Sequence, residues 1–378
     1  MYTFGTFVIL DLTKWIPLRF WGATSGEHFV DTKQILNSVR CLEENESTQS
    51  SDLCNGYVYG KTLLKGLDLL NLSSPQTTFL GFFFLGLLAV VLGLVSFKSL
   101  IPKSIYFAIV LSPPVLLLAE RANFDILMVA LVLFASLLSR QGTQIGSTLL
   151  LAVASLVKFY TIPLMFIQAS YTRKPLIRSL IIGFSVVISY LIGKEMLATK
   201  KLMNPTSGTG YNNGEGFGFH IWAGYLPRFK NFLPLDMGVA GYVTSGAVLA
   251  ILITGALIYL RFKEVGSSPT PILQGNSYRS FEYLLIVHLS CFFAGVSIDY
   301  RLIFIITATL SYLSAVSPLK KQDTDRNLII GLLVISLWCT YPSDGLQYIG
   351  DISLTVLTLL LVEKAIRQRI LIRKHLKK

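Results

Sequence analysis

This chain has few charged residues. Only 14% of its 378 residues are charged, whereas an average soluble domain carries about 25%. Apolar residues make up 52% of the chain and give a mean hydropathy of +0.59. They form long blocks, and apolar blocks of about 20 residues are typical of transmembrane helices. The composition therefore argues against an ordinary soluble enzyme and predicts an all-α, polytopic integral membrane protein.

The apolar blocks predict a bundle of about 10–12 transmembrane helices, several of them short or re-entrant. The blocks lie at residues 77–97, 104–119, 123–139, 145–170, 176–194, 240–260, 281–297, 301–316, 327–342 and 352–366. Lys158 interrupts the block at 145–170, so we expect a hairpin of two short helices there. Residues 1–20 lack a basic segment before their apolar part, which favours a first transmembrane helix or an interfacial helix over a signal peptide. No soluble domain or repeat is visible, so we expect one membrane-embedded domain over residues 1–378.

Positive charge is concentrated in short loops, and such loops face the cytoplasm in membrane proteins. If residues 145–170 form a hairpin, all of these loops lie on one side of the membrane. The basic residues are Lys98, Lys103, Arg140, Arg173, Lys174, Arg178, Arg261, Lys263, Arg279, Lys320, Lys321, Arg326 and the tail 364–378. Residues 21–76 and 195–239 then form two extracytoplasmic loops. We expect the basic tail to contact membrane lipid rather than nucleic acid, because no soluble basic domain accompanies it.

Metal-binding and phosphate-binding motifs are also missing. The chain has four histidines and four cysteines with no Cys-x-x-Cys, so we expect neither a metal nor another cofactor. Cys41 and Cys54 fall in the first outer loop, where either a disulfide or two free thiols is possible. The stretch GTGYNNGEGFGFHIW, residues 208–222, lacks the Gly-Lys-Ser/Thr of a P-loop. It is either a flexible outer loop or a lid whose His220 or Trp222 stacks on a sugar.

Polar residues are present at helix junctions on the predicted outer side. Charges near a membrane core are costly, so they pair with one another, face a cavity or bind a ligand. Salt bridges within the protein are one interpretation, and Lys158 can also extend to the interface. Three junctions that each supply a cation favour a pocket for a lipid-linked phosphate. The junction residues are Glu120, Arg121, Asn123 and Asp125, then Lys158 and Tyr160, then Asp299 and Arg301.

The chain contains the stretch ERANFDILMVALVLFASLLSRQG and, shortly after it, the stretch LLLAVASLVKFYTIPLMFI. These two stretches resemble polytopic glycosyltransferases with the GT-C fold, and glycosyltransferase family 87 in particular. The later stretch SIDYRLIF resembles an Asp-Tyr-Arg segment of such chains, and HFVDTKQIL resembles a Phe-x-Asp segment in their first outer loop. The resemblance implies a GT-C-like bundle and a polyprenyl-phosphate sugar donor, with mannose favoured. It implies a glycolipid or glycan acceptor and a catalytic carboxylate, which by position is Asp31.

The chemistry of sugar transfer assigns further roles. A base must remove the acceptor's hydroxyl proton, and cations must stabilise the leaving phosphate. Asp31 is the candidate base and gives inversion at the sugar carbon. The candidates for donor-phosphate binding are Arg121, Lys158 and Arg301. The candidates for support or sugar binding are Glu120, Asn123, Asp125, Tyr160, His220 and Asp299. The alternative for Asp31 is a loop carboxylate that caps a helix beginning at Thr32.

Two other functions remain open. A transporter or flippase for lipid-linked sugars would use similar phosphate contacts, but such proteins usually have internal repeats and polar residues near the membrane midplane. A non-catalytic scaffold subunit is the third possibility. The identity of the sugar, the acceptor and the oligomeric state stay open.

Overall fold

A computed structural model describes residues 29–43, 61–96, 101–172, 174–200, 216–217, 276–293, 297–316, 323–339 and 344–376. Within these ranges the chain is α-helical apart from three 3₁₀ turns, Ser74–Gln76, Phe159–Thr161 and Asp299–Leu302, and two short strands, β1 (Gly216–Phe217) and β2 (Ser297–Ile298). The helices are α1 (Val30–Glu43), α2 (Lys61–Leu69), α3 (Thr77–Ser96), α4 (Lys103–Val110), α5 (Pro113–Arg121), α6 (Asp125–Arg140), α7 (Gln144–Val157), α8 (Ile162–Ser170), α9 (Pro175–Lys200), α10 (Asn276–Phe293), α11 (Ile303–Ala315), α12 (Asp323–Trp338) and α13 (Asp344–Leu376). The predicted all-α class is confirmed for this part of the chain.

Two of the described helices are long and apolar enough to cross a membrane. They are α3, over Thr77–Val95 with a mean hydropathy of 2.6, and α9, over Pro175–Lys194 with a mean hydropathy of 2.0. Helices α4 and α5 also pass as one span, although they bend by 49° at their junction. These two or three candidate spans agree with a membrane location. The predicted bundle of many more spans stays a prediction.

The predicted blocks and the described helices differ for local reasons. Block 104–119 is divided into α4 and α5, because Pro113 and Pro114 lack the N–H groups that a continuous helix needs. At this break the Ser112 hydroxyl donates to the Ile109 carbonyl over 2.6 Å. Block 352–366 is the middle of α13, which continues through most of the basic tail. Block 240–260 and residues 1–20 lie outside the described residues.

The predicted hairpin at residues 145–170 is confirmed as α7 and α8. Lys158 has an extended backbone, with φ −145° and ψ 120°, and therefore ends α7. Pro163 in the first turn of α8 favours a new helix at that point. Gln168 near the end of α8 donates to the side chain of Gln144 at the beginning of α7, so the two helices are antiparallel. Lys158 consequently lies at the tip of the hairpin.

The centre of the described bundle is built from α6, α10 and α11. Helix α10 packs against both α11 and α6, and α6 packs against α7. Every residue of α11 from Ile303 to Leu313 is buried, as expected for a helix that is apolar on all sides. Helix α9 is the opposite case, because only 17% of its candidate span is buried inside the described structure. Residues such as Leu180 and Tyr190 are left exposed on it.

A glycine on α3 allows the chain before α1 to lie against that helix. The Phe29 ring contacts the α3 backbone so closely that a Cβ atom added to Gly81 would lie 2.6 Å from Phe29 Cε2. The same ring packs edge-to-face on Phe82, with 5.6 Å between ring centroids. Because Phe29 stands two residues before Asp31, this packing also positions the beginning of α1.

Replacing Gly81 by alanine is expected to destabilise the protein by about 1–3 kcal/mol, because the new methyl group would displace the Phe29 ring. The matched control is Gly86→Ala on the same helix, where nothing lies within 4 Å of an added Cβ. That control is expected to be neutral or slightly stabilising, since alanine favours helix more than glycine. Thermal unfolding in detergent measures both effects, and equal melting temperatures for the two variants would contradict the assigned contact.

Candidate functional site

The stretch from Glu120 to Asp125 forms a tight turn between α5 and α6. Ala122 takes a left-handed conformation, with φ 46° and ψ 52°, and ends α5. The Asp125 N–H donates to Asn123 Oδ1 over 2.8 Å, a local bond that asparagine commonly forms in turns. The turn therefore keeps Arg121, Asn123 and Asp125 together at one end of the bundle.

The beginning of α1 is bound to this turn by two hydrogen bonds. The Phe29 N–H donates to the Glu120 carbonyl over 2.7 Å, and the Thr32 hydroxyl donates to the Ala122 carbonyl over 2.5 Å. Phe29 also has a positive φ of 60°, which few residues other than glycine adopt. These contacts fix Asp31, which lies between Phe29 and Thr32, against the turn.

Asp31 is buried and accepts hydrogen bonds from two side chains of the turn. Arg121 Nε lies 2.9 Å from Asp31 Oδ1, and Asn123 Nδ2 lies 2.5 Å from Asp31 Oδ2. Helix α1 begins at Val30 rather than at Thr32. The alternative in which Asp31 caps a helix beginning at Thr32 is therefore wrong. The Asp31 carboxylate instead connects the beginning of α1 to the turn 90 residues later.

Asp125 lies deeper in the same network and joins all three predicted junctions. Its Oδ1 atom lies 2.8 Å from Lys158 Nζ and also accepts a hydrogen bond from the Tyr160 hydroxyl. Its Oδ2 atom lies 3.5 Å from Arg301 Nε. Lys158 Nζ also donates to Asn123 Oδ1 over 2.8 Å. One buried carboxylate thus brings together the α5–α6 turn, the hairpin tip and the turn before α11.

The ring of Tyr160 adds an aromatic wall to the network. Arg301 Cζ lies 5.7 Å from the ring centroid, and Lys158 Nζ lies 6.0 Å from it. Both distances are within the range of cation–π attraction. Phe304 packs edge-to-face against the same ring, with 5.5 Å between centroids. Tyr160 therefore contacts the two cations through its ring and Asp125 through its hydroxyl, and α11 packs against the ring.

The network has an outer layer and a buried layer. The side chains of Arg121 and Arg301 are 23% and 16% exposed, whereas those of Lys158 and Asp125 are 1% and 0% exposed. Asp31 stands between the layers at 9%. An anion that approaches from outside therefore meets the two arginines first. Lys158 is buried behind them and binds Asn123 and Asp125.

The other three predicted site residues lie beside the network or outside the described part. Glu120 is buried beside it, and its carbonyl accepts from Phe29. Asp299 lies in the 3₁₀ turn with Arg301, but its side chain is outside the described part, as is all of His220. The Gly-rich stretch 208–222 is described only at β1, which pairs antiparallel with β2 just before Asp299.

Sequence reasoning missed three residues that position Asp31, namely Phe29, Thr32 and Ala122. A hydroxyl next to Asp31 was a visible signal for Thr32, because such a group can bond to a nearby carbonyl. Nothing in the sequence indicated the left-handed conformation of Ala122, since glycine or asparagine usually occupies such positions. The contact of Phe29 with Gly81 depends on packing between distant segments.

Other expectations are tested only in part. Within the described residues, no group of three or more His, Cys, Asp or Glu side chains could hold a metal, and the expectation of no metal and no cofactor stays a prediction. Cys291 is buried among apolar side chains of α10, which agrees with a packing role. The possible Cys41–Cys54 pair cannot be placed, since Cys54 is outside the described residues.

No protein-family model matches this chain, and no curated protein and no solved structure is detectably similar to it. The resemblance to GT-C glycosyltransferases therefore rests on the quoted residues alone and stays a hypothesis.

Replacing Lys158 by methionine is expected to destabilise the protein by about 3–5 kcal/mol, because it leaves Asp125 buried with one cation fewer. The double variant Lys158→Met with Asp125→Asn is expected to be more stable than Lys158→Met alone, since the unpaired carboxylate is removed as well. The control is Lys174→Met, at an exposed lysine, which is expected to change stability by less than about 0.5 kcal/mol.

Thermal unfolding of the four members of this double-mutant cycle measures the coupling. If the changes in stability caused by Lys158→Met and by Asp125→Asn are additive in the double variant, the interaction between the two residues does not stabilise the fold.

Proposed function

We propose that this chain is a membrane glycosyltransferase that moves a sugar, with mannose favoured, from a polyprenyl-phosphate donor to a hydroxyl of a glycolipid or glycan. One observation carries the proposal. A carboxylate, Asp31, and two partly exposed arginines, Arg121 and Arg301, stand at the outer edge of a buried polar network at the ends of apolar helices. A lipid-linked phosphate needs cations at this kind of boundary and apolar surface for its chain.

The proposed architecture is a GT-C-like bundle of about 10–12 transmembrane helices. The proposed site faces the extracytoplasmic side, with residues 21–76 and 195–239 as outer loops and the basic end of the chain in the cytoplasm. The distribution of lysine and arginine among the short loops supports this orientation. The hairpin of α7 and α8 supports it too, because a single crossing there would place the later basic loops outside.

The reaction follows from the chemistry of the three outer side chains. The bond between the sugar's anomeric carbon and the donor's phosphate oxygen breaks, and a bond between that carbon and the acceptor oxygen forms. The acceptor's hydroxyl proton passes to Asp31, acting as the general base. The electron pair of the broken bond stays on the phosphate, whose added negative charge Arg121 and Arg301 stabilise. Attack opposite the leaving group inverts the anomeric carbon.

The ion pair between Asp31 and Arg121 implies that the donor binds before Asp31 acts as the base. Arg121 binds Asp31. A donor phosphate competes for the same guanidinium and draws it away from the carboxylate. The second bond of Asp31, to Asn123, keeps the carboxylate in position after this exchange. The base therefore becomes fully available only when the donor is bound.

Lys158 has a different role in this proposal from that of the arginines. Its side chain is 1% exposed and is bound to Asn123 and Asp125. We therefore assign it to positioning: it holds Asn123 for Asp31 and balances the charge of Asp125. Contact with the phosphate is left to Arg121 and Arg301.

A transporter or flippase for lipid-linked sugars is the second candidate function. The same arginines would bind the lipid phosphate, but no step would need Asp31 as a base. Transfer of sugar to an acceptor, as opposed to movement of the intact lipid across a bilayer, therefore separates the two candidates.

Replacing Asp31 by asparagine is expected to lower the rate of sugar transfer by about 10²–10⁴-fold, the usual contribution of a general base. The measurement uses purified protein in lipid nanodiscs with a panel of radiolabelled polyprenyl-phosphate sugars and a glycolipid extract as acceptor. The matched control is Asp68→Asn, at an exposed carboxylate on α2, which is expected to keep full activity. Transfer by Asp31→Asn at the unaltered rate would refute the assignment of the base.

Replacing Arg121 by glutamine is expected to raise the KM for the donor at least about tenfold and to leave the KM for the acceptor nearly unchanged, because a charge-assisted bond to the phosphate is lost. Lys65→Gln, at an exposed lysine on α2, controls for loss of positive charge on the same side. A rise in the acceptor KM alone would place Arg121 at the acceptor instead.

A further inference from the structure

A second polar cluster lies at the end of the bundle opposite to Asp31. Helix α6 begins at Asp125 in the first network and ends beside this second cluster, and its 16 residues span about 24 Å. Helices α7, α8 and α10 also run between the two ends. We call it the arginine–tyrosine cluster. Its members are Ser139, Tyr171, Arg279, Glu282, Tyr283 and Arg369.

The inner side of the arginine–tyrosine cluster is held by hydrogen bonds between helix ends. Arg279 Nη1 donates to Ser139 Oγ over 3.0 Å, and the Tyr283 hydroxyl donates to the same oxygen over 3.3 Å. The Tyr283 hydroxyl also contacts Gln168 at the end of α8. These bonds fix Arg279 in position before any ligand is present, which lowers the entropy cost of binding one.

The outer side carries two guanidinium groups against one ring. Arg279 Cζ lies 4.6 Å and Arg369 Cζ lies 5.5 Å from the centroid of Tyr171. Arg140 adds a third positive charge that repels Arg279. Glu282 is the carboxylate bound by Arg369 Nε. The positive charge gathered here therefore exceeds what Glu282 neutralises.

Hydrogen-bonding groups in this cluster lack partners among the described residues. Arg369 Nη2 and the Tyr171 hydroxyl are shielded from solvent and have no hydrogen-bond partner there, and neither has Glu282 Oε2. Shielded donors without acceptors are costly. A phosphate oxygen can accept from both Arg369 and Tyr171, and a headgroup hydroxyl can donate to Glu282. The chemistry that satisfies all three groups is that of a hydroxyl-bearing phosphate ester.

Apolar surface begins directly beside these groups. Tyr171 follows the last residue of α8, and α9 starts at Pro175. Leu176 and Leu180 on α9 are 72% and 61% exposed, and Phe166 on α8 is 40% exposed. A soluble phosphate compound would leave this surface uncovered, whereas the acyl chains of a phospholipid would lie along it. Basic pockets between helices at the membrane surface are known to hold anionic headgroups in this way.

We propose that the arginine–tyrosine cluster binds the phosphate of an anionic phospholipid whose headgroup carries a hydroxyl, with the acyl chains along α9. This site does not depend on the proposed sugar transfer or on the Asp31 network. In the orientation proposed above it belongs to the cytoplasmic leaflet.

The test measures how lipids raise the melting temperature of the purified full-length chain in detergent. Phosphatidylglycerol is expected to raise it in a saturable manner, and phosphatidylcholine and inorganic phosphate are expected to raise it much less. Arg279→Gln is expected to weaken the apparent affinity for phosphatidylglycerol about tenfold. Lys103→Gln, at an exposed lysine of α4, is the control for general loss of charge and is expected to bind as the unaltered chain does.

The Tyr171→Phe variant distinguishes a loss of lipid binding from a loss of folding. The Tyr171 hydroxyl has no partner among the described residues, so its removal is expected to leave the lipid-free melting temperature unchanged and still to weaken lipid binding. Equal stabilisation by phosphatidylcholine and phosphatidylglycerol, or unaltered affinity in both Arg279→Gln and Tyr171→Phe, would overturn the proposal. Stabilisation by inorganic phosphate alone would overturn the assignment to a lipid.

Discussion

The burial of the Asp125 carboxylate is the constraint on which the rest of the site depends. A charge without solvent is tolerated only when cations and hydrogen-bond donors surround it. Lys158, Tyr160 and Arg301 supply these groups, from the hairpin tip and from the turn before α11. The hairpin of α7 and α8 must therefore end where it does, and the turn before α11 must lie beside it. The shortness of these helices follows from the same requirement.

The outer layer depends on this inner one. Asn123 accepts from Lys158 and donates to Asp31, so it transmits the position of the buried lysine to the carboxylate near the surface. The Phe29 N–H and the Thr32 hydroxyl donate to carbonyls of the same turn, so they hold the chain on either side of Asp31 against it. A carboxylate that is fixed both through its neighbouring residues and through its own hydrogen bonds is suited to proton transfer, because little rearrangement is needed when the reaction begins. This rigidity is what the proposed glycosyltransferase requires of Asp31.

The residues of the network are easier to predict from sequence than their pairing. Polar residues in apolar blocks are conspicuous, so the three junctions and the hairpin tip at Lys158 follow from the order of residues alone. The order of residues does not show which carboxylate pairs with which cation. Asp31 and Arg121 are 90 residues apart and come together through the packing of α1 on the turn. The sequence leaves Arg121 either as a donor-phosphate ligand or in a salt bridge within the protein, and it gives no sign that the partner is Asp31.

Backbone features were the least predictable part of the fold. The bend between α4 and α5 follows from Pro113 and Pro114, although the apolar block at 104–119 continues across it. The apolar block at 352–366 gives no sign that α13 continues through most of the basic tail, because the charged residues end the block but not the helix. A long helix with lysine and arginine in its last turns is stable, since those residues favour its C-terminal dipole.

The polar groups at both ends of α6 have a consequence for the surrounding membrane. The helix between them is about 24 Å long, whereas the hydrocarbon core of a bilayer is about 30 Å thick. In the proposed bundle, neither polar end can enter hydrocarbon without losing its solvation, so the bilayer near α6 must thin unless the longer α3 and α9 separate α6 from lipid. The local thickness of the bilayer then affects the stability of this protein. A membrane of matching thickness is where its fold costs the least, and such matching is one way in which cells sort membrane proteins.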